Sequence, residues 1–141
     1  MKITIGSDHR GYELKKNIIE HFGDIEWLDM GADSVDRTDY PIYAKKACDT
    51  LLENNADFGI LLCGSGVGMS IAANRFKGIY AALCWNEEVA RMAKEDDNAN
   101  ILIIPVDFVQ QDQVFKMVKT WLSTQFKDGR HQARLAMIDA D

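Results

Sequence analysis

Residues 59–75 read GILLCGSGVGMSIAANR. The segment Asp57–Cys63 is almost continuously apolar after its first residue, the pattern of a strand covered on both faces in a parallel sheet. Gly64, Gly66 and Gly68 then alternate with Ser65 and Val67, and residues 70–76 are helix-like. A buried strand, a glycine turn and a helix in immediate succession form the repeating unit of an α/β protein.

The same rhythm runs outward in both directions. Towards the amino terminus, strand-like segments at 2–6 and 25–29 alternate with helical faces built from Leu14, Ile18 and Phe22, and from Tyr43, Ala47 and Leu51. Towards the carboxyl terminus, strands are expected at 79–84 and at 100–104, the latter stopped by Pro105. Helices are expected at 87–95, around Val114, Val118, Trp121 and Leu122, and from 130 to about 138. Parallel neighbours need crossover connections, and right-handed crossovers place helices on both faces. The expected architecture is a single domain over residues 1–141, with a five-stranded parallel sheet between two helical layers. Ligands of such sheets gather beyond the carboxyl ends of the strands. These tips carry Asp8-His9-Arg10, Asp39-Tyr40-Pro41, Cys63 with its glycines, and Trp85-Asn86.

Composition narrows the class. The chain has 141 residues, 47% hydrophobic and 27% charged, and a formal charge of −6. Nucleic-acid binders usually carry a dense basic face, so no nucleic-acid partner is expected. The apolar runs are too short to span a bilayer, and Met1-Lys2-Ile3 leads into a strand with no signal-peptide pattern. A cytoplasmic protein without a membrane partner is expected. Cys48, Cys63 and Cys84 are odd in number and lack the paired spacing of a zinc or redox motif.

Four constellations bear on chemistry. The turn Gly64–Gly68 precedes a helix start, where backbone N–H groups favour negative charge, although glycines also serve a tight strand-to-helix turn alone. A dinucleotide site is a rival, since Glu87 and Glu88 lie near the spacing of a ribose-binding carboxylate, but that fingerprint normally follows the first strand of its unit. Cys63 stands at a strand end beside a helix amino terminus, where a thiolate is stabilised; the alternative is a small buried hydrophobe, the reading given to Cys48 and Cys84. Asp8 is either a helix cap or a functional group at the first strand tip. In DGRHQARL, Arg130 and Arg134 share a helix face with His131 beside them, an arrangement that suits a phosphate or carboxylate, or else a solvated face. The three histidines are widely separated, and no metal is expected.

Read together, GSDHRGYELK at 6–15, DRTDYPIYA at 36–44, GILLCGSGVGMSIAANR at 59–75, NAN at 98–100 and DGRHQARL at 128–135 resemble the ribose-5-phosphate isomerase type B and galactose-6-phosphate isomerase family. The resemblance covers nearly the whole chain. It implies a Rossmann-like three-layer α/β/α sandwich and an aldose–ketose isomerase that acts on a phosphorylated sugar through a cis-enediolate without cofactor or metal. Ribose 5-phosphate and ribulose 5-phosphate are the expected pair; alternatives are galactose 6-phosphate or allose 6-phosphate, or a non-catalytic sugar-phosphate or nucleotide-binding module. The resemblance also implies a homodimer or homotetramer with active sites shared between subunits, the last helix packing at an interface.

By the same resemblance Cys63 is the base, and Ser65 and Asp8 handle hydroxyl protons. Gly64, Gly66, Val67 and Gly68 line the substrate. Tyr40 contacts it, and His9, Arg130 and Arg134 hold its phosphate. Asn74 has a conformational role. Some family members use a glutamate at the position of Met69 instead of the cysteine. A family histidine credited with ring opening is replaced here by Asp96, with Asp97 beside it, so ring opening falls to Asp96 or to another group such as His131.

Overall fold

The computed structural model describes residues 1–140. Five parallel strands, β1 (Lys2–Ser7), β2 (Glu26–Asp29), β3 (Phe58–Cys63), β4 (Ala81–Leu83) and β5 (Ile101–Pro105), lie in the order β2-β1-β3-β5-β4. The helices are α1 (Tyr12–His21), α2 (Tyr40–Leu52), α3 (Val67–Asn74), α4 (Glu87–Asp97), α5 (Gln111–Ser123) and α6 (Arg130–Asp139). Short 3₁₀ turns follow β1 at His9–Gly11 and β5 at Val106–Phe108.

Alternation along β3 divides the interior. Ile60 and Leu62 face one way, with Ile3, Ile5, Leu102 and Ile104, against residues of α1, α4 and α5 that include Leu14, Ile18, Ala90, Val118 and Trp121. Leu61 and Cys63 face the other way, packing with Ala44, Ala47 and Cys48 of α2 and with Met69 and Ala73 of α3. Both faces of the sheet are therefore covered, which is why β3 and β5 read as unbroken apolar runs. This is the three-layer α/β/α architecture expected from the sequence.

Strand order places the site. From β1 the chain moves to β2 on one side and to β3, β5 and β4 on the other, so the order reverses between β1 and β3. At such a switch point the connections diverge and leave a crevice above the strand tips. Ser7 pairs with Leu62 in register, so Asp8 and Cys63 flank that crevice.

Three of the boundaries that differ from expectation have a clear physical cause. Helix α3 begins at Val67, not Ser70, because Gly66 takes a left-handed conformation (φ 77°) that turns the chain directly into the helix. Strand β4 is shorter than 79–84: Ile79 N–H bonds Phe76 in a turn, and Tyr80 N–H bonds the side chain of Asn100. Pro105 is the last residue of β5 rather than the stop before it, since the final position opposite Cys63 tolerates a missing N–H. Outer strand β4 is met on its open side by Asn74, whose side-chain amide donates to Ala81 O (2.9 Å) and accepts from Ala81 N–H (2.9 Å).

Candidate active site

The crevice is assembled by glycines that allow close approach. A Cβ on Gly11 would stand 2.8 Å from Leu62 Cβ and 2.9 Å from Ser7 Cβ, so only glycine lets the 3₁₀ turn after β1 lie on β3. Asp8 caps that turn: its Oδ1 accepts from the N–H of Arg10 (3.0 Å) and of Gly11 (3.3 Å). Its own N–H donates to Leu62 O at 3.3 Å, fastening the tips of β1 and β3 together. His9 Nδ1 accepts from Thr38 N–H at 3.2 Å, which in a neutral imidazole leaves Nε2 as the protonated nitrogen. Tyr40 opens α2 and lies across the first turn of α3, where a Cβ on Gly68 would fall 2.5 Å from its Cζ.

Cys63 ends β3 and is 5% exposed. The backbone N–H groups of Met69 and Gly66 both point at its sulfur. Burial nevertheless pushes the thiol above its ordinary value. The two N–H bonds pull the other way, and the carboxylates of Asp8 and Asp107 add a further upward push. Of the two readings of Cys63, a thiolate stabilised at the helix start or a buried hydrophobe, the surroundings combine both: burial has the larger effect on the thiol, and the two N–H groups oppose it. The loop amides are also not all reserved for a ligand. Two serve the sulfur, and Val67 N–H bonds Ser65 Oγ at 3.2 Å.

Residues 8, 9, 40 and 63–68 thus meet at the carboxyl tips of β1 and β3. The remaining candidates do not join them within one chain. Helix α4 starts just beyond the tip of β4 and runs back along the sheet, so Asp96 and Asp97 lie at the opposite edge, near Asn100 and Tyr80 where β5 and β4 begin. Helix α6 is fastened at that edge: Lys127 N–H donates to Glu95 O (3.0 Å), His131 Nε2 lies 3.7 Å from Asp96 Oδ1, and Tyr80 OH bonds Asp139. Arg130 and Arg134 are exposed, and Leu135 anchors the helix. A cavity of about 440 Å³ lined by Arg75, Tyr80 and Asp139 lies at this same edge, away from Cys63. Among the described residues no group of three or more His, Cys, Asp or Glu could hold a metal, and no helix is long and apolar enough to cross a membrane.

The sequence model described as Ribose/Galactose Isomerase matches residues 3–138. The chain belongs to this family. Among solved members, a ribose 5-phosphate isomerase from Thermotoga maritima is 49% identical, with 98% of this chain and 97% of that one aligned at a TM-score of 0.96. Ribose-5-phosphate isomerase B of Mycoplasma genitalium, solved with bound ribulose-5-phosphate, is 41% identical, covers 98% of this chain and 93% of its own, and superposes with a TM-score of 0.94. Ribose-5-phosphate isomerase B of Escherichia coli is 39% identical over 141 residues, covering 99% of this chain and 95% of its own.

Two groups at the crevice of this family member escaped the sequence reading. Arg10 follows β1 within Asp8-His9-Arg10 and Asp107 follows β5, and nothing in the sequence pairs them. They form an ion pair across 97 positions, bonded Nη2 to Oδ2. Only their positions after β1 and after β5, both at strand tips, could have drawn attention to them.

Proposed function

We propose that this chain interconverts ribose 5-phosphate and ribulose 5-phosphate by moving a proton between adjacent carbons through a cis-enediolate. Family membership and the relatives that carry this activity in their names support the reaction class. The observation that carries the assignment to this site is the Cys63 sulfur, which accepts two backbone N–H bonds at the switch point of the sheet. Donors aimed at sulfur favour the anion once substrate displaces water, and a base with a raised pKa is a strong one when deprotonated.

In this reading Cys63 takes and returns the carbon proton. Asp8, whose Oδ1 is committed to its turn, uses its second oxygen on a substrate hydroxyl, and Ser65 serves another. Tyr40 lies alongside the sugar, and His9 presents Nε2 to the phosphate. Arg130, Arg134 and the Asp96–His131 pair sit at the wrong edge of their own sheet and complete the crevice of a second copy of the chain. Exposed apolar side chains on α3 (Val67, Ile71) and α6 (Met137, Ile138) support such a homodimer. Asp96 and His131 together exchange the proton that opens the sugar ring. The enzyme then works in the cytoplasm, in pentose phosphate metabolism.

The test is turnover of ribose 5-phosphate by the purified protein in D₂O, with galactose 6-phosphate and allose 6-phosphate in parallel. Expected are isomerisation of the five-carbon substrate and deuterium at the carbon beside the carbonyl. Preference for a six-carbon ester would correct the substrate. Absence of exchange with every ester would leave only a binding module.

A further inference from the structure

The tips of β1 and β5 meet above the glycine turn. Arg10 stands on the 3₁₀ turn after β1, Asp107 on the one after β5, and their ion pair lies directly against Gly64. A Cβ built on Gly64 would stand 2.9 Å from Arg10 Nε and 2.9 Å from Asp107 Oδ2. Asp107 N–H also donates to Gly64 O at 3.0 Å, which fixes its turn to the residue that follows Cys63. Both side chains remain open to solvent, Arg10 at 55% and Asp107 at 35%.

Such a pair is a poor fold staple, because exposed ion pairs contribute little to stability. It is also a costly neighbour for an anionic substrate, since Asp8 and Asp107 both place negative charge near Cys63. The fork of Arg10 matches the oxygens of a phosphate as well as it matches a carboxylate, and His9 is the adjacent residue on the same turn. A phosphate dianion carries twice the charge of Asp107 and can take over the same donors.

We propose that Arg10 is a phosphate-binding residue of this site and that Asp107 occupies its guanidinium until the substrate's phosphate displaces it. The exchange makes and breaks only ionic hydrogen bonds. It rests on the isomerase reading for the identity of the ester, but any phosphate monoester dianion or inorganic phosphate should drive it.

Inorganic phosphate is the probe, titrated calorimetrically at constant ionic strength and pH 7.5 into the wild type, Arg10→Ala, Arg10→Lys, Asp107→Asn and the Arg10→Ala/Asp107→Asn double variant. Loss of a guanidinium fork should weaken binding roughly tenfold, with Arg10→Lys intermediate because it keeps the charge but not the fork. Asp107→Asn should instead tighten binding several-fold by removing the competitor, and the double variant should bind like Arg10→Ala. In turnover, KM for ribose 5-phosphate should follow the same order while kcat moves much less. The proposal is overturned if Asp107→Asn binds phosphate no more tightly than the wild type, or if Arg10→Ala and Arg10→Lys both stay within twofold of it. If Arg10→Ala does not fold, Arg10→Lys and Asp107→Asn decide alone. Because phosphate titration needs no turnover, a wild type that shows this pattern yet does not isomerise any sugar phosphate refutes the proposed reaction and leaves the exchange standing.

Discussion

Cys63 and Cys84 are both buried thiols at the carboxyl tips of parallel strands, and they are bonded in opposite senses. Cys84, just past β4, donates its S–H to Ala82 O at 3.6 Å, and burial pushes it up to about 12. Cys48, inside α2, does likewise towards Ala73 O at 3.9 Å and also reaches about 12. Cys63 instead accepts, from Gly66 and Met69, and its upward shift is held back by those two donors. Burial alone makes a cysteine an inert hydrophobe; an acceptor geometry at the switch point suits Cys63 to the proposed role of base.

The sharpest way to break this contrast is to delete each sulfur. Cys63→Ala should lower kcat/KM for ribose 5-phosphate by at least about a thousandfold, as expected for loss of the proton-transferring group. Cys84→Ala should leave it within about twofold, because that thiol touches no part of the crevice. Equal losses in steady-state assays would erase the distinction.

A second way is to remove the donors and keep the sulfur. Gly66→Ala forces a side chain into a left-handed position and into Leu83, whose Cδ1 would lie 2.4 Å from the new Cβ. A loss of about 2–4 kcal/mol in urea denaturation is expected from strain and overpacking, with activity falling as the N–H swings off the sulfur. Gly129→Ala is the comparison for strain alone: with φ 64° and ψ −126° it also disfavours a side chain, but the new Cβ meets nothing within 4 Å, so about 1–3 kcal/mol is expected without overpacking and without loss of the sulfur's donors.

Serine substitution reads the environments directly. At position 84 the hydroxyl gains only the weak carbonyl partner of the thiol, and a cost of about 1–3 kcal/mol is expected for burying it. At position 63 the two N–H groups still find an oxygen acceptor, so Cys63→Ser should be the milder change in thermal unfolding.

The smallest effect is a pH dependence. The folded Cys84 thiol ionises at about 12, above its unfolded value, so in alkali the unfolded chain loses this proton first. Stability should therefore fall as pH rises above the ordinary thiol range near 8.5, by up to about 1.4 kcal/mol per unit for this group. Cys84→Ala removes that contribution, so its stability relative to the wild type should improve by about 1 kcal/mol between pH 7 and pH 9.5. Turnover should run the other way on its alkaline limb, rising as more Cys63 becomes thiolate.

The fold was legible because local and tertiary signals agree. Continuous apolar runs at 58–63 and 101–104 mark strands covered on both faces, and helical spacing marks every helix between them. The start of α3 was not legible, since Val67 and Gly68 are weak helix formers and the boundary is set by the left-handed Gly66 and by packing under Tyr40. Half of the candidate site could be read from strand tips alone. The placement of Asp96 and His131 at the far edge depends on the direction in which α4 runs, and the Arg10–Asp107 pair joins tips that strand order alone brings near. The balance between the two readings of Cys63 was not legible for a related reason: a helix start can be recognised in sequence, whereas the depth of burial around a sulfur cannot.

Asn74 carries a consequence of another kind. By presenting one carbonyl and one amide to Ala81, its side chain imitates a single residue of a sixth strand along the exposed rim of β4. An unguarded rim is an invitation for chains to add end upon end into aggregates. The same residue that closes α3 behind the glycine turn thus occupies the two backbone groups of Ala81 that an added strand would need.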